Sequence, residues 1–166
     1  MSSHRFPGLT VRQPRAWGVQ HGGIDVLNMS WYTRHRGSFW LHAGSARRWD
    51  WQLAVDPLMR AAWEDYWKRA TEHPFSPPLA PLPVVPYSAI VALSTVTGCH
   101  SADDCLQPGA LGGPDDMCSP WAQKSYWHWE LGGTTSLVEP VGCRGWLMWG
   151  WVPRSVHEQA RENLPC

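Results

Sequence analysis

From His73 to Pro86 the chain reads HPFSPPLAPLPVVP, and the prolines at 74, 77, 78, 81, 83 and 86 divide the rest of the sequence in two. Proline fixes φ and lacks an amide donor, so this run is neither a helix nor a central strand. It is predicted to be an extended, polyproline-like strap. Before it, Asp56 and Pro57 open a helix predicted to reach about Thr71, with Asp56 as N-cap and Pro57 in the first turn. Met59, Ala62, Trp63, Tyr66, Trp67 and Ala70 recur at helical spacing and make one apolar stripe, suited to core packing. After the strap, Tyr87 to Thr97 (YSAIVALSTVT) is the strongest strand candidate.

The remaining elements are shorter. Gln13-Pro14-Arg15-Ala16-Trp17 predicts a helix stopped by Gly22-Gly23, and Val26 to Met29 a short strand. Ser38 to Ala43 alternates, with Phe39, Leu41 and Ala43 on one side and Trp40 and His42 on the other. Ser101 to Ser119 is rich in Gly, Pro and Asp and is predicted to be a long loop. Three further strands are expected, at Tyr126 to Leu131, Leu137 to Val141 and Gly145 to Val152, then a helix from Pro153 to about Asn163. Together these predict one α+β domain over residues 1–166, a small β-barrel, closed or nearly so, with short flanking helices and one longer inserted helix.

Composition narrows the functional classes. No window approaches the ~20 apolar residues of a membrane span, and MSSHRFPG lacks the apolar run of a signal peptide, so a cytoplasmic protein is expected. Lys+Arg and Asp+Glu are 14 each, which gives no global attraction to a polyanion. Only Lys68 and Lys124 are lysines, a bias that fits either a GC-rich genome or a use for planar, bidentate donors. The cysteines at 99, 105, 118, 143 and 166 form no CxxC unit, so they are read as ordinary thiols and no metal or other cofactor is assigned. Cys99, His100, Cys105 and Cys118 nevertheless fall close together in sequence. Most of the 13 tryptophans must be structural, because one small barrel can aim only a few side chains at a ligand.

Two blocks carry a family resemblance. The first comprises Leu9-Thr10-Val11-Arg12-Gln13-Pro14-Arg15-Ala16-Trp17, Gly22, and Asn28-Met29-Ser30-Trp31-Tyr32-Thr33 followed by His35-Arg36-Gly37. The second comprises Tyr87 to Val96, Ser119-Pro120-Trp121, Trp127 to Leu131, and the stretch from Gly145 to Pro153. Spanning 8–44 and 87–153, they resemble the ASCH (activating signal cointegrator homology) family of the PUA-like superfamily, with residues 45–86 outside the shared pattern. The resemblance implies a PUA-like barrel with a cleft for RNA, single-stranded nucleic acid or a nucleotide-like molecule.

The family pattern, roughly G-x-K-x-x-E-x-R, places a lysine, an acid and an arginine around that cleft. Those positions are Ile24, Leu27 and Met29 in this chain, and Asp25 stands where many relatives have threonine. Amide hydrolysis needs an activated nucleophile and an acid–base group. With those charges gone, no catalytic residues are assigned and the resemblance implies recognition without turnover.

The expected ligand-binding residues are Arg12, Asn28, Ser30, Trp31, Arg34, Arg36, Ser119 and Trp121. Arginines would grip phosphate, tryptophans would stack on a base, and Asn28, Ser30 and Ser119 would read polar edges. Two alternatives stay open: an amidohydrolase on an acetylated nucleoside, or a nuclease, using substitute residues; and a protein-interaction adaptor acting in transcription or RNA metabolism through the strap or the Trp63/Trp67 helix.

Overall fold

The computed structural model describes residues 5–45, 56–71, 85–105 and 117–166. Most of the proline strap and residues 106–116 of the long loop lie outside the described residues. In chain order the elements are β1 (Phe6–Val11), α1 (Arg15–His21), β2 (Val26–Met29), β3 (Gly37–Ala43) and α2 (Pro57–Thr71). Then follow β4 (Ala89–Ser101), α3 (Ala102–Cys105), β5 (Trp127–Gly142), β6 (Trp149–Val152) and α4 (Arg154–Glu162). The strands form one six-stranded sheet in the order β2-β5-β4-β3-β1-β6, with β1 and β3 parallel and every other pair antiparallel. The fold is therefore α+β, as expected.

The sheet is not closed: among the described residues β2 and β6 are its two unjoined edges. It is strongly curled all the same. Four strand spacings separate β5 from β6, which in a flat sheet would be about 19 Å. Yet the Trp129 and Trp149 rings stack with centroids 5.5 Å apart. Register shifts along β4–β5 and at Leu41/His42 in β3–β4 add local bend and twist.

One of these shifts overturns a boundary predicted from sequence. Tyr126–Leu131 and Leu137–Val141 are parts of a single strand, because Gly132-Gly133 forms a bulge. Leu93 pairs with Thr135 and Thr95 with Gly132, leaving Gly133 and Thr134 opposite Ser94. Gly133 has φ 59°, where a side chain would be strained, and Ser94 and Thr134 hydroxyls join at 2.8 Å across the bulge. At the other end, strand pairing begins at Trp149 rather than Gly145. The preceding residues let Trp146 fold back over the cross-strand pair Gly8–Gly150.

Both faces of the sheet are packed. The inner face joins Leu9, Phe39, Leu41, Val91 and Trp129 to α1 and α2. The other face buries Trp40, Ile90, Leu137, Val141 and Val152 against Ala160 of α4. The alternation of β3 is thus a division between two cores. Helix α2 is capped as expected, with Asp56 Oδ1 accepting from Leu58 N–H and Met59 N–H at 3.1 Å each. Its stripe packs on α1, with Trp63 and Tyr66 meeting the Trp17 ring edge-on at 5.3 and 5.4 Å. Gln13, fully buried, clasps this corner: its Oε1 accepts from Trp17 N–H at 2.9 Å and its Nε2 donates to the Pro86 carbonyl at 3.0 Å.

Two histidines are built in as neutral rings. His42 Nε2 donates to the Cys143 carbonyl at 2.9 Å, leaving Nδ1 to accept from Thr10 Oγ1 at 3.2 Å. His157 Nδ1 accepts from Trp40 Nε1–H at 2.9 Å. Desolvation lowers the pKa of His42, against a smaller opposing effect of the Cys143 carbonyl, and desolvation likewise lowers those of His21 and His157. A lowered histidine pKa means that the unfolded chain binds more protons than the native one. Stability is therefore complete above 6.5, the ordinary value, and falls as pH drops below it toward the folded values. The urea midpoint should fall between about pH 7.5 and about pH 5.5, with a shallower dependence in His42→Gln. An unchanged dependence in the variant would exclude His42 as a contributor.

Candidate functional site

The N-terminal end of α1, strand β2 and the segment between α3 and β5 converge on two adjoining cavities. The first, of about 450 Å³, is lined by Arg12, Arg15, Asn28, Ser30, Trp31 and Tyr126, with Val11, Leu27 and Met29 among its apolar lining and Leu147 and Met148 at its edge. The second, of about 430 Å³, shares Arg15 and Gln123 with it and is lined further by Ile24, Asp56, Met59, Pro120 and Trp121. Each occupies the size range of a small-ligand pocket.

Among the described residues, Arg12 and Arg15 are the only charged ones lining the first cavity, and neither guanidinium has an acidic partner. Trp31 is held edge-on against Trp129 at 5.5 Å, and its carbonyl accepts from Trp129 Nε1–H at 3.0 Å. That anchoring presents a preorganised indole beside two cations.

The expected residues divide. Arg12, Asn28, Ser30 and Trp31 line the first cavity, whereas Trp121 lines the second. Asn28 is already engaged: its Nδ2 donates to the Trp121 carbonyl and its Oδ1 accepts from Gln123 N–H, both at 2.8 Å. It therefore fixes a wall rather than offering a free amide. Ser119 is buried, donating from Oγ to Asp25 and accepting from Trp121 N–H at 3.1 Å. Asp25 is thus a clasp on the same wall.

Arg34 and Arg36 are not among the lining residues of either cavity. Arg36 instead donates to the carbonyls of Thr33 and His35, at 3.0 and 2.8 Å, and holds its own loop. Ile24 and Leu27 are core residues, 6% and 2% exposed, whose edges reach the cavities.

Sequence reasoning missed Arg15 and Tyr126. Arg15 carried a signal, since it stands three residues from Arg12 where α1 begins. Tyr126 precedes β5 and carried none.

A second cluster adjoins the Asn28-clasped wall, where Gln123 bonds both Asn28 and His128. His100 and His128 face each other across β4–β5, and the Cys105 and Cys118 sulfurs meet them. His100 Nε2 is 2.9 Å from Cys105 Sγ, and His128 Nδ1 is 3.1 and 3.4 Å from the sulfurs of Cys105 and Cys118. Desolvation, with the adjacent Cys105 thiol, pushes the Cys118 thiol up to about 12. Cys99, grouped with these by sequence, is instead partly buried against the main core.

No protein-family model matches this chain, and no curated protein matches it.

Proposed function

We propose that this chain is a PUA-like domain of the ASCH type that binds RNA, single-stranded nucleic acid or a nucleotide-like ligand without turning it over. One observation carries the reading: among the described residues the cavity has two arginines without acidic partners, no acidic lining residue, and two aromatic side chains, Trp31 and Tyr126. Guanidinium groups pair with phosphate oxygens in a fork geometry, and aromatic rings stack on bases of any identity. In this reading Arg12 and Arg15 take phosphate, Trp31 and Tyr126 take the base, and Ser30 meets a polar edge. The curl of the sheet supports the PUA-like assignment, an open form of the expected barrel. Leu27 gives this cavity, and Ile24 the adjoining one, an apolar wall where the family pattern has glutamate and lysine, which favours recognition over hydrolysis.

Titration of a fluorescently labelled mixed-sequence single-stranded RNA tests the reading. Affinity should fall steeply between about 50 and about 200 mM salt. Arg12→Ala and Arg15→Ala should each weaken binding and reduce the salt slope by about one. Trp31→Ala should cost about 1–3 kcal/mol. No detectable binding at low salt would overturn the nucleic-acid reading, and deacetylation of acetylcytidine by the pure protein would overturn the absence of turnover.

A further inference from the structure

We infer that His100, Cys105, Cys118 and His128 form a closed, structural zinc site that is independent of the cleft's function. Four donor atoms of two kinds, all within 4.8 Å of one another, come from three parts of the chain. A zinc ion with bonds of about 2.0–2.1 Å to nitrogen and about 2.3 Å to sulfur sets tetrahedral donor separations of about 3.3–3.8 Å. A nitrogen–sulfur pair in such a site is about 3.5–3.6 Å apart, so the separations of 2.9, 3.1 and 3.4 Å reach it with shifts of at most about 0.7 Å. Two thiolates and two imidazoles suit zinc in preference to the oxygen-seeking cations.

The outer hydrogen bonds of the two histidines make the case stronger than proximity alone. His100 Nδ1 is 2.7 Å from Glu130 Oε1, and His128 Nε2 is 2.8 Å from the Gln123 carbonyl. Carboxylate and carbonyl oxygens only accept, so each ring holds its proton outward and turns a lone pair toward the sulfurs. Ligand histidines in metal sites are oriented in this way. Cys105 and Cys118 are both free thiols, and His128 is fully buried at the base of the cluster. With four protein ligands no position is left for water or substrate, which makes the site structural rather than catalytic. The ion would tie α3 and Cys118 to β5, and through Gln123 to the wall of the cleft.

The test is metal analysis of the full chain purified from zinc-supplemented medium without chelator, followed by replacement with cobalt. One zinc per chain is expected, with visible cobalt–thiolate bands after exchange. Cys105→Ser/Cys118→Ser should abolish both, while Cys143→Ser should leave both intact. Glu130→Gln keeps all four ligands and should weaken zinc binding about 10–100-fold, so the site can be tested even if the double variant fails to fold. A metal-free protein that gives no cobalt bands would overturn the assignment. So would a Cys105–Cys118 disulfide in the intact protein, or cobalt bands unchanged in the double variant.

Discussion

Trp129→Ala should lower the unfolding free energy by about 3–5 kcal/mol, the largest effect of any single side chain considered for this fold. Trp129 has no exposed surface, stacks on Trp149, receives the edge of Trp31 and donates from Nε1 to the Trp31 carbonyl. Truncation would remove the contact that joins β5 to β6 across the curl and leave a cavity that Phe39 and Trp149 cannot fill without moving. Domains of this size are stable by about 5–15 kcal/mol, so the variant would stand close to unfolding. Urea denaturation followed by far-ultraviolet circular dichroism measures the loss. Trp129→Phe keeps an aromatic ring and loses the N–H bond, so its cost should be clearly smaller. Equal losses in the two variants would mean that the hydrogen bond, and not the stacked rings, holds the curl.

Gly150→Ala should cost about 1–3 kcal/mol although it adds only a methyl group. The Trp146 indole lies over the paired Gly8 and Gly150. A Cβ on Gly150 would overlap its Cγ, Cδ1 and Cδ2, and one on Gly8 would come within 2.6 Å of its Cζ3. These are atoms near the ring's attachment or held in its body, so the whole indole must lift, and with it the edge contact to His42 at 5.6 Å. The cost should largely vanish in a Trp146→Ala background, giving a coupling of about 0.5–3 kcal/mol in a double-mutant cycle by thermal or urea unfolding. Additive losses would place the constraint in the backbone of β6 instead.

Much of this fold was legible because its signals are local. The cap at Asp56, the stripe of α2 and the alternation of β3 each depend on residues a few positions apart. The continuity of β5 was hidden because Gly132-Gly133 reads as a turn until its partner Ser94 shows it to be a bulge. The cleft was half legible: Arg12, Asn28, Ser30 and Trp31 line it, but an arginine in a loop does not disclose whether it faces a ligand or its own carbonyls. Arg36 does the latter. The His–Cys cluster was least legible. Its spacing, His-x4-Cys-x12-Cys-x9-His, matches no compact ligand pattern, and His128 reaches it only through the register of β4 with β5.

An open sheet invites a second chain to pair with its unsatisfied amides, and the edges of this sheet are poor templates for that. Both edge strands, β2 and β6, are only four residues long. The part of β5 that extends beyond β2 is obstructed at several points: Leu131 N–H donates to the Asp25 carbonyl at 2.7 Å, and Val138 N–H to the Asn163 carbonyl at 2.8 Å. Pro140 has no amide to offer, and Glu139 beside it is exposed and charged. The residue that ends α4 therefore occupies an edge amide that a second chain could otherwise pair with.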